Sequence, residues 1–193
     1  MKVQLLLFLL FPVVVLAQQP GDFDYVFESL KEADENPIQV YHLDLHKQKL
    51  EAFPKNLSRF ENLRILDLSK NKISLLPAEI GELTSLVELN LSKNDIYTIP
   101  PQIENLQQLE ILVLSKNDVK EIPPEIGELT QLKNLDLWEN NVQKVDSNIQ
   151  QLTQLQVLDL RGMIISDEMQ KQISTWLSEA GTTIQFSASC NCF

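Results

Sequence analysis

Apolar residues recur along this chain with a period of 23 residues, which indicates an internal repeat. Each repeat carries leucine at its fourth and sixth positions, as at Leu43 and Leu45 or Leu112 and Leu114. Because a single polar or variable residue separates the two leucines, the pattern predicts a short β-strand with one buried face. The six repeats begin at Val40, Leu63, Leu86, Leu109, Leu132 and Leu155.

Two further positions of the repeat predict how the chain leaves each strand. The ninth position is asparagine in the four inner repeats, and we expect these buried amides to bond to one another in a ladder. A proline six positions later favours extended backbone or the start of a helix on the opposite side of the repeat. Gln48 and Met163 replace the asparagine in the terminal repeats, and Asp146 replaces the proline in the fifth. The two series are Asn71, Asn94, Asn117 and Asn140, and Pro54, Pro77, Pro100 and Pro123.

This pattern resembles that of the leucine-rich-repeat family, specifically the class whose consensus is LxxLxLxxNxIxx[LI]PxxIxxL. Residues 63–83, LRILDLSKNKISLLPAEIGEL, and residues 109–129, LEILVLSKNDVKEIPPEIGEL, are similar to it at almost every position. That class includes repeats of plant disease-resistance proteins and of animal Ras-pathway scaffold proteins. The resemblance implies an α/β fold, a right-handed horseshoe-shaped solenoid with a parallel sheet on its concave face, which binds protein partners.

The ends of such a stack need caps, because a bare end would expose the core. Before the first repeat, residues 18–39 predict an N-terminal cap, with an amphipathic helix over 22–35 that buries Phe23 and Phe27. After the repeats of residues 40–165, residues 166–193 predict a C-terminal cap. It comprises a helix from the N-cap Ser166 to Gly181, an edge strand over 183–186, and a tail with Cys190 and Cys192.

The first 17 residues have the features of a signal peptide. Lys2 gives a positive start, Leu5 to Leu16 form an apolar run, and Ala17 provides a small residue for cleavage. The sequence therefore predicts export through the secretory pathway, to the medium, the periplasm or the cell surface. No second long apolar run follows, so we expect no integral membrane segment in the mature chain. We also expect the mature chain to be a monomer.

Composition and motifs argue against several other functions. Acidic residues outnumber basic ones by 27 to 16, and the net charge of −11 disfavours nucleic acids and anionic membranes as partners. The sequence contains no G-x-S-x-G, H-E-x-x-H or phosphate-loop motif, which indicates no enzyme and no cofactor. His42 and His46 share a strand face, but about 13 Å separates them, too far to bind one metal ion.

The variable strand positions on the concave face are the candidate binding surface. One group on repeats four to six combines a tryptophan, an arginine and aliphatic side chains, a composition typical of an interface hot spot. These residues predict a non-catalytic module that recognises a macromolecular partner. They are Ile111, Val113, Asp136, Trp138, Asp159 and Arg161.

Two alternatives remain open from the sequence. The protein could be a structural or adhesive surface protein with dispersed contacts, linked through Cys190 or Cys192. It could also be a hydrolytic enzyme in which neighbouring aspartates, Asp44 with Asp67 or Asp136 with Asp159, share a proton. A lysine at the eighth position of four repeats forms a basic stripe, which we expect to be solvated and neutralised by nearby aspartates. Its members are Lys47, Lys70, Lys93 and Lys116.

Overall fold

The computed structural model describes residues 25–187, and most of these residues form a stack of coils around a parallel sheet. The sheet has eight strands that follow chain order, because each repeat adds one coil beside the last. Two further short strands, Glu121–Ile122 and Lys144–Val145, pair in a second sheet on the opposite side of the coils. The solenoid predicted from the repeat is thereby confirmed. The strands are β1 (Val26–Phe27), β2 (His42–Asp44), β3 (Ile65–Asp67), β4 (Glu88–Asn90), β5 (Ile111–Val113), β6 (Glu121–Ile122), β7 (Asn134–Asp136), β8 (Lys144–Val145), β9 (Val157–Leu160) and β10 (Thr183–Phe186).

The core is built from leucines that occupy the same position in successive repeats. The register pairs Leu66 with Leu89 and Leu89 with Leu112, and all three side chains are fully buried. Each buried leucine contributes roughly 1.5–3 kcal/mol relative to an exposed one. Because the register never shifts, the residues on either side of each central leucine all face the concave surface.

Short 3-10 helices form the side of the solenoid opposite the main sheet. Three of them begin directly after an extended proline, at Pro77, Pro100 and Pro123, as the proline column predicts. In the fifth repeat Asp146 takes the place of the proline and caps the 3-10 helix. Its carboxylate accepts the backbone N–H of Asn148 at 2.9 Å. The 3-10 helices span Pro37–Gln39, Leu57–Arg59, Ala78–Glu82, Pro101–Asn105, Pro124–Glu128 and Ser147–Gln151.

The ninth-position asparagines bond to backbone and do not form the ladder expected from the sequence. The amide nitrogen of Asn94 donates to the carbonyls of Leu68 and Leu91, at 3.0 and 2.9 Å. Its oxygen accepts the N–H of Ile73 at 3.0 Å. Each amide atom is thus engaged with the main chain where two adjacent coils leave their strands. Asn71, Asn117 and Asn140 bond in the same way.

The N-terminal cap differs from the expected helix over residues 22–35. Val26–Phe27 form strand β1, which pairs with His42 and Leu43, and only Leu30–Ala33 are helical (α1). The hydroxyl of Ser29 caps this short helix by accepting the N–H of Glu32. A strand suits this place better than a helix because it satisfies the open hydrogen-bonding edge of β2 while Phe27 remains buried.

The C-terminal cap agrees with the sequence in its start and differs at its end. Helix α2 (Asp167–Trp176) begins after Ser166, whose hydroxyl accepts the N–H of Met169. It ends at Trp176 and not at Gly181, and the N–H of buried Leu177 makes the last helical bond, to the Ile173 carbonyl. Residues 177–181 then turn the chain into the edge strand β10, which is present as expected.

Some sequence predictions concern residues beyond the described range. The signal peptide of residues 1–17, Phe23 and the cysteines Cys190 and Cys192 all lie outside residues 25–187. Within that range, no helix has the length and apolar character needed to cross a membrane.

A candidate protein-binding surface

The concave surface is made by the side chains that alternate with the buried leucines. In the three-residue strands the first and third residues are half-buried on either side of a fully buried leucine. The parallel register brings together residues at the same repeat position, so Ile111 lies beside Asn134 and Val113 beside Asp136. The surface therefore consists of columns that run along the stack.

The fifth-position column has a structural function that the sequence analysis missed. The side-chain oxygen of each aspartate or asparagine in it accepts the backbone N–H two residues later. The distances are 2.9 Å from Asp44 to His46, 2.7 Å from Asp67 to Ser69 and 3.0 Å from Asn90 to Ser92. Asp136 and Asp159 bond in the same way to Trp138 and Arg161, at 2.9 and 3.0 Å. These side chains close the turn that follows each strand.

Val113 interrupts this column. It lies in register between Asn90 and Asp136, but its side chain has no oxygen with which to accept the N–H of Ser115. The chain thus places an aliphatic residue on the concave surface where every other repeat uses a turn-closing oxygen. With Ile111 on the same strand, Val113 forms the apolar centre of the candidate surface.

Trp138 lies next to this centre and is held by the preceding repeat. The ammonium of Lys116 is 4.3 Å from the centroid of its ring, a cation–π contact. Lys116 also forms an ion pair with Glu139 at 3.1 Å. Lys116 was assigned to the separate basic stripe from sequence, although its place one repeat before Trp138 could have indicated the contact.

Asp159 and Arg161 are paired with each other at the C-terminal side of the surface. Two nitrogens of the Arg161 guanidinium donate to the two carboxylate oxygens of Asp159, with a shortest distance of 2.6 Å. Partial burial opposes ionisation of Asp159, but the hydrogen bonds from Arg161 outweigh it and hold the pKa of this carboxyl below its ordinary value. Asp159 is buried, whereas about half of the Arg161 side chain is exposed. Asp159 therefore positions Arg161, which presents its free edge to solvent.

Two aspartates of the concave face, Asp44 and Asp159, are held in their ionised form by hydrogen bonds. Burial disfavours the charged form of Asp44, yet hydrogen bonds from the backbone and the imidazole of His46 bring its pKa below the ordinary value. Asp44 and Asp159 are thus each bonded to the side chain two residues later, His46 and Arg161 respectively.

The histidines do not come together with other ligands. The Nδ1 of His46 lies 2.7 Å from a carboxylate oxygen of Asp44. This pair supplies only two potential metal-ligating side chains. Among residues 25–187 there is no group of three or more histidine, cysteine, aspartate or glutamate side chains that could hold a metal ion.

A stack of parallel strands in which asparagines at one repeat position hold the turns of successive coils defines a leucine-rich-repeat protein. The family model for a leucine-rich repeat region matches residues 36–179, and the chain belongs to this family. A search of curated proteins gave no match. The family and the fold class inferred from the sequence are both confirmed.

Several solved structures are similar to this chain. A leucine-rich-repeat protein of Leptospira interrogans is 36% identical with a TM-score of 0.67, over 76% of this chain and 36% of its own. An internalin of Listeria monocytogenes is 23% identical with a TM-score of 0.70, over 84% and 45%, and shares the fold. A chain of the BIR3–SERK2 complex of Arabidopsis thaliana is 34% identical with a TM-score of 0.51, over 56% and 61%. This chain thus spans between about a third and three fifths of the length of these proteins.

Proposed function

We propose that this chain is an exported, non-catalytic module that binds a protein partner on its concave face. The proposed site is centred on Ile111, Val113 and Trp138, with Asp136, Asp159 and Arg161 at its C-terminal side. The observation that carries the proposal is Val113, which replaces a turn-closing oxygen with an apolar side chain. A residue that gives up a local stabilising bond and faces solvent is typical of a position kept for binding.

The neighbouring residues supply what a protein interface needs. Trp138 and Arg161 are of the residue types that contribute most to binding energy. Both are held in place before a partner arrives, Trp138 by Lys116 and Arg161 by Asp159. This preorganisation lowers the entropy lost on association. The similar Arabidopsis structure is of a complex, which supports a protein as the partner.

Export is part of the proposal and has its own test. Residues 1–17 act as a signal peptide and are removed, so the mature chain begins near Gln18. Mass spectrometry of the protein recovered from the extracellular or envelope fraction of its source would identify the first residue. A chain that retains Met1 and stays in the cytoplasm would contradict export.

Partner capture with matched variants tests the binding site. Mature protein would be immobilised and exposed to the extracellular or envelope fraction of its source, and retained proteins would be identified by mass spectrometry. Trp138→Ala and Arg161→Ala should each lose the partner that the unaltered chain retains, with little change in thermal unfolding. Tyr97→Ala is the control because Tyr97 is an exposed aromatic outside the strand face. Retention of the partner by both concave variants would show that the site assignment is wrong.

A further inference from the structure

The eighth position of every repeat has a left-handed backbone conformation. It is occupied by Lys47, Lys70, Lys93 and Lys116, with φ between 56° and 59°. Glu139 and Gly162 take the same conformation in the last two repeats, at 53° and 80°. This position forms the tight turn between the strand and the buried asparagine, so the rim of the sheet carries one such residue for each coil.

Lysine is a costly choice for this conformation. The left-handed region is sterically unfavourable for residues with a Cβ, and glycine or asparagine are the usual occupants. Gly162 shows that this chain can use glycine there. Four lysines in strained turns therefore indicate that the side chain, and not the backbone, determines the residue at these positions.

The first three lysines of this column have free charges. Lys116 is paired with Glu139 and Trp138, but Lys47, Lys70 and Lys93 form no ion pair with any residue between 25 and 187. Lys49 and Lys72 add two exposed cations two residues further along their coils, at the repeat position where the next two coils carry Asp95 and Asp118. We call these five residues, Lys47, Lys49, Lys70, Lys72 and Lys93, the lysine rim. The nearby carboxylates of Asp44 and Asp67 accept hydrogen bonds from His46, Ser69 and Asn90 and form no ion pair with these lysines.

The lysine rim can bind a ligand through its charges, but it offers few backbone hydrogen bonds or apolar contacts. The backbone N–H groups of Lys47, Lys70 and Lys93 already donate to Ser69, Ser92 and Ser115 of the next coil. A peptide therefore cannot add as a strand along this rim. The adjacent seventh-position residues His46, Ser69 and Ser92 are polar, so the rim lacks the apolar anchors that protein partners usually require.

The spacing of the column sets the shape of a suitable ligand. Adjacent coils are about 4.8 Å apart, so Lys47, Lys70 and Lys93 form a straight row that spans about 10 Å. We infer that the lysine rim binds a linear sulfated polysaccharide that lies along the axis of the stack. Such a chain carries negative charge on successive rings, a spacing comparable to that of the coils, and it needs no apolar anchor. The acidic residues elsewhere on the molecule are screened over about 8–10 Å at physiological salt, so a local row can attract a polyanion.

Heparin is the probe for this inference, with the mature full chain in solution at near-physiological salt, where the acidic residues elsewhere are screened. The test variant is the triple change Lys47→Asn, Lys70→Asn and Lys93→Asn, because asparagine tolerates the left-handed turn and only the charge is lost. The control triple, Lys31→Asn, Lys55→Asn and Lys120→Asn, removes the same charge from exposed positions outside the rim. We expect the test variant to bind heparin about tenfold more weakly and the control to change less than about twofold.

Two further measurements fix the class of ligand. Binding by the unaltered chain should fall steeply as salt is raised, because exposed charges are screened. Polyglutamate of similar charge should bind much more weakly than heparin. Equal loss in the two triple variants, or polyglutamate binding as tight as that of heparin, would overturn the inference. Trp138→Ala should retain heparin binding, which separates this site from the proposed protein-binding surface.

Discussion

The side-chain oxygen of Asn94 accepts the backbone N–H of Ile73, a residue of the preceding coil, at 3.0 Å. The amide nitrogen of the same side chain donates to carbonyls of both coils. A single asparagine thus satisfies three backbone groups in a buried turn. This arrangement recurs at Asn71, Asn117 and Asn140, and it ties each of the second to fifth coils to the one before it.

Replacing this asparagine should weaken the fold severely. Asn94→Ala leaves the buried N–H of Ile73 without a partner and removes a donor from the carbonyls of Leu68 and Leu91, so we expect a loss of about 3 kcal/mol in the free energy of unfolding. Urea denaturation followed by circular dichroism measures the change. Asn141→Ala, at an exposed position, should change stability by less than about 0.5 kcal/mol. Equal midpoints for the two variants would contradict this function of Asn94.

The close approach of Gly127 to the next coil leads to a second prediction. A Cβ at this position would lie 2.3 Å from the backbone oxygen of Asn148, and main chain cannot rotate away as a side-chain end can. Gly127→Ala should therefore cost about 1–3 kcal/mol, as overpacking does. Gly181 provides a comparison because a Cβ there meets nothing within 4 Å, although its φ is +66°. Asparagine should be tolerated at 181 and not at 127, and thermal unfolding of the two variants decides.

Val113 allows stability and binding to be separated. In Val113→Asn the new side-chain oxygen could accept the N–H of Ser115, as Asn90 does for Ser92. We expect the variant to gain about 0.5–1 kcal/mol of stability while its partner binding weakens. It should be produced in a host without N-glycosylation, because the change creates an Asn-x-Ser sequence. A less stable variant with full binding would show that Val113 serves packing alone.

The pair formed by Asp159 and Arg161 predicts a pH dependence. The pKa of Asp159 is lowered in the folded state, so the unfolded chain binds more protons in acid and stability rises with pH. The contribution is fully present above the ordinary aspartate pKa and is lost as pH falls through the lowered one. Asp159→Asn keeps the turn-closing oxygen but removes the charge, so its stability should vary less with pH across the acidic range. Parallel curves for the two proteins, from urea melts at several pH values, would contradict the contribution of this pair.

The leucine columns made most of the fold predictable. In a stack of similar coils a residue such as Leu112 fits only one register. A shift of one residue would move every leucine of its strand from the core to the solvent-exposed face. The asparagine series could be recognised in the sequence because it recurs at one position of the repeat. Its bonding partners were not, because the sequence does not show which carbonyls converge at a turn.

The features that were missed depend on backbone conformation or on neighbouring coils. The regular aspartate and asparagine at the fifth position could have indicated a turn-closing function, since these side chains often bond two residues ahead. Gly162 in the last repeat was a signal for the left-handed turn at the eighth position. The strand at Val26–Phe27 had no comparable signal, because apolar residues at helical spacing also fit an edge strand beside β2.

The bonds that the ninth-position asparagines make to another coil all go to the preceding coil, and this makes the two ends of the molecule unequal. Asn71 holds the turn of the first coil at Leu50, and each later asparagine does the same for its predecessor. Trimming a coil from the N-terminal end leaves an unused amide, whereas trimming one from the C-terminal end strips the remaining terminal coil of its support. Met163 already offers no such amide to the coil before it, so unravelling should start at the C-terminal end and travel backwards along the chain.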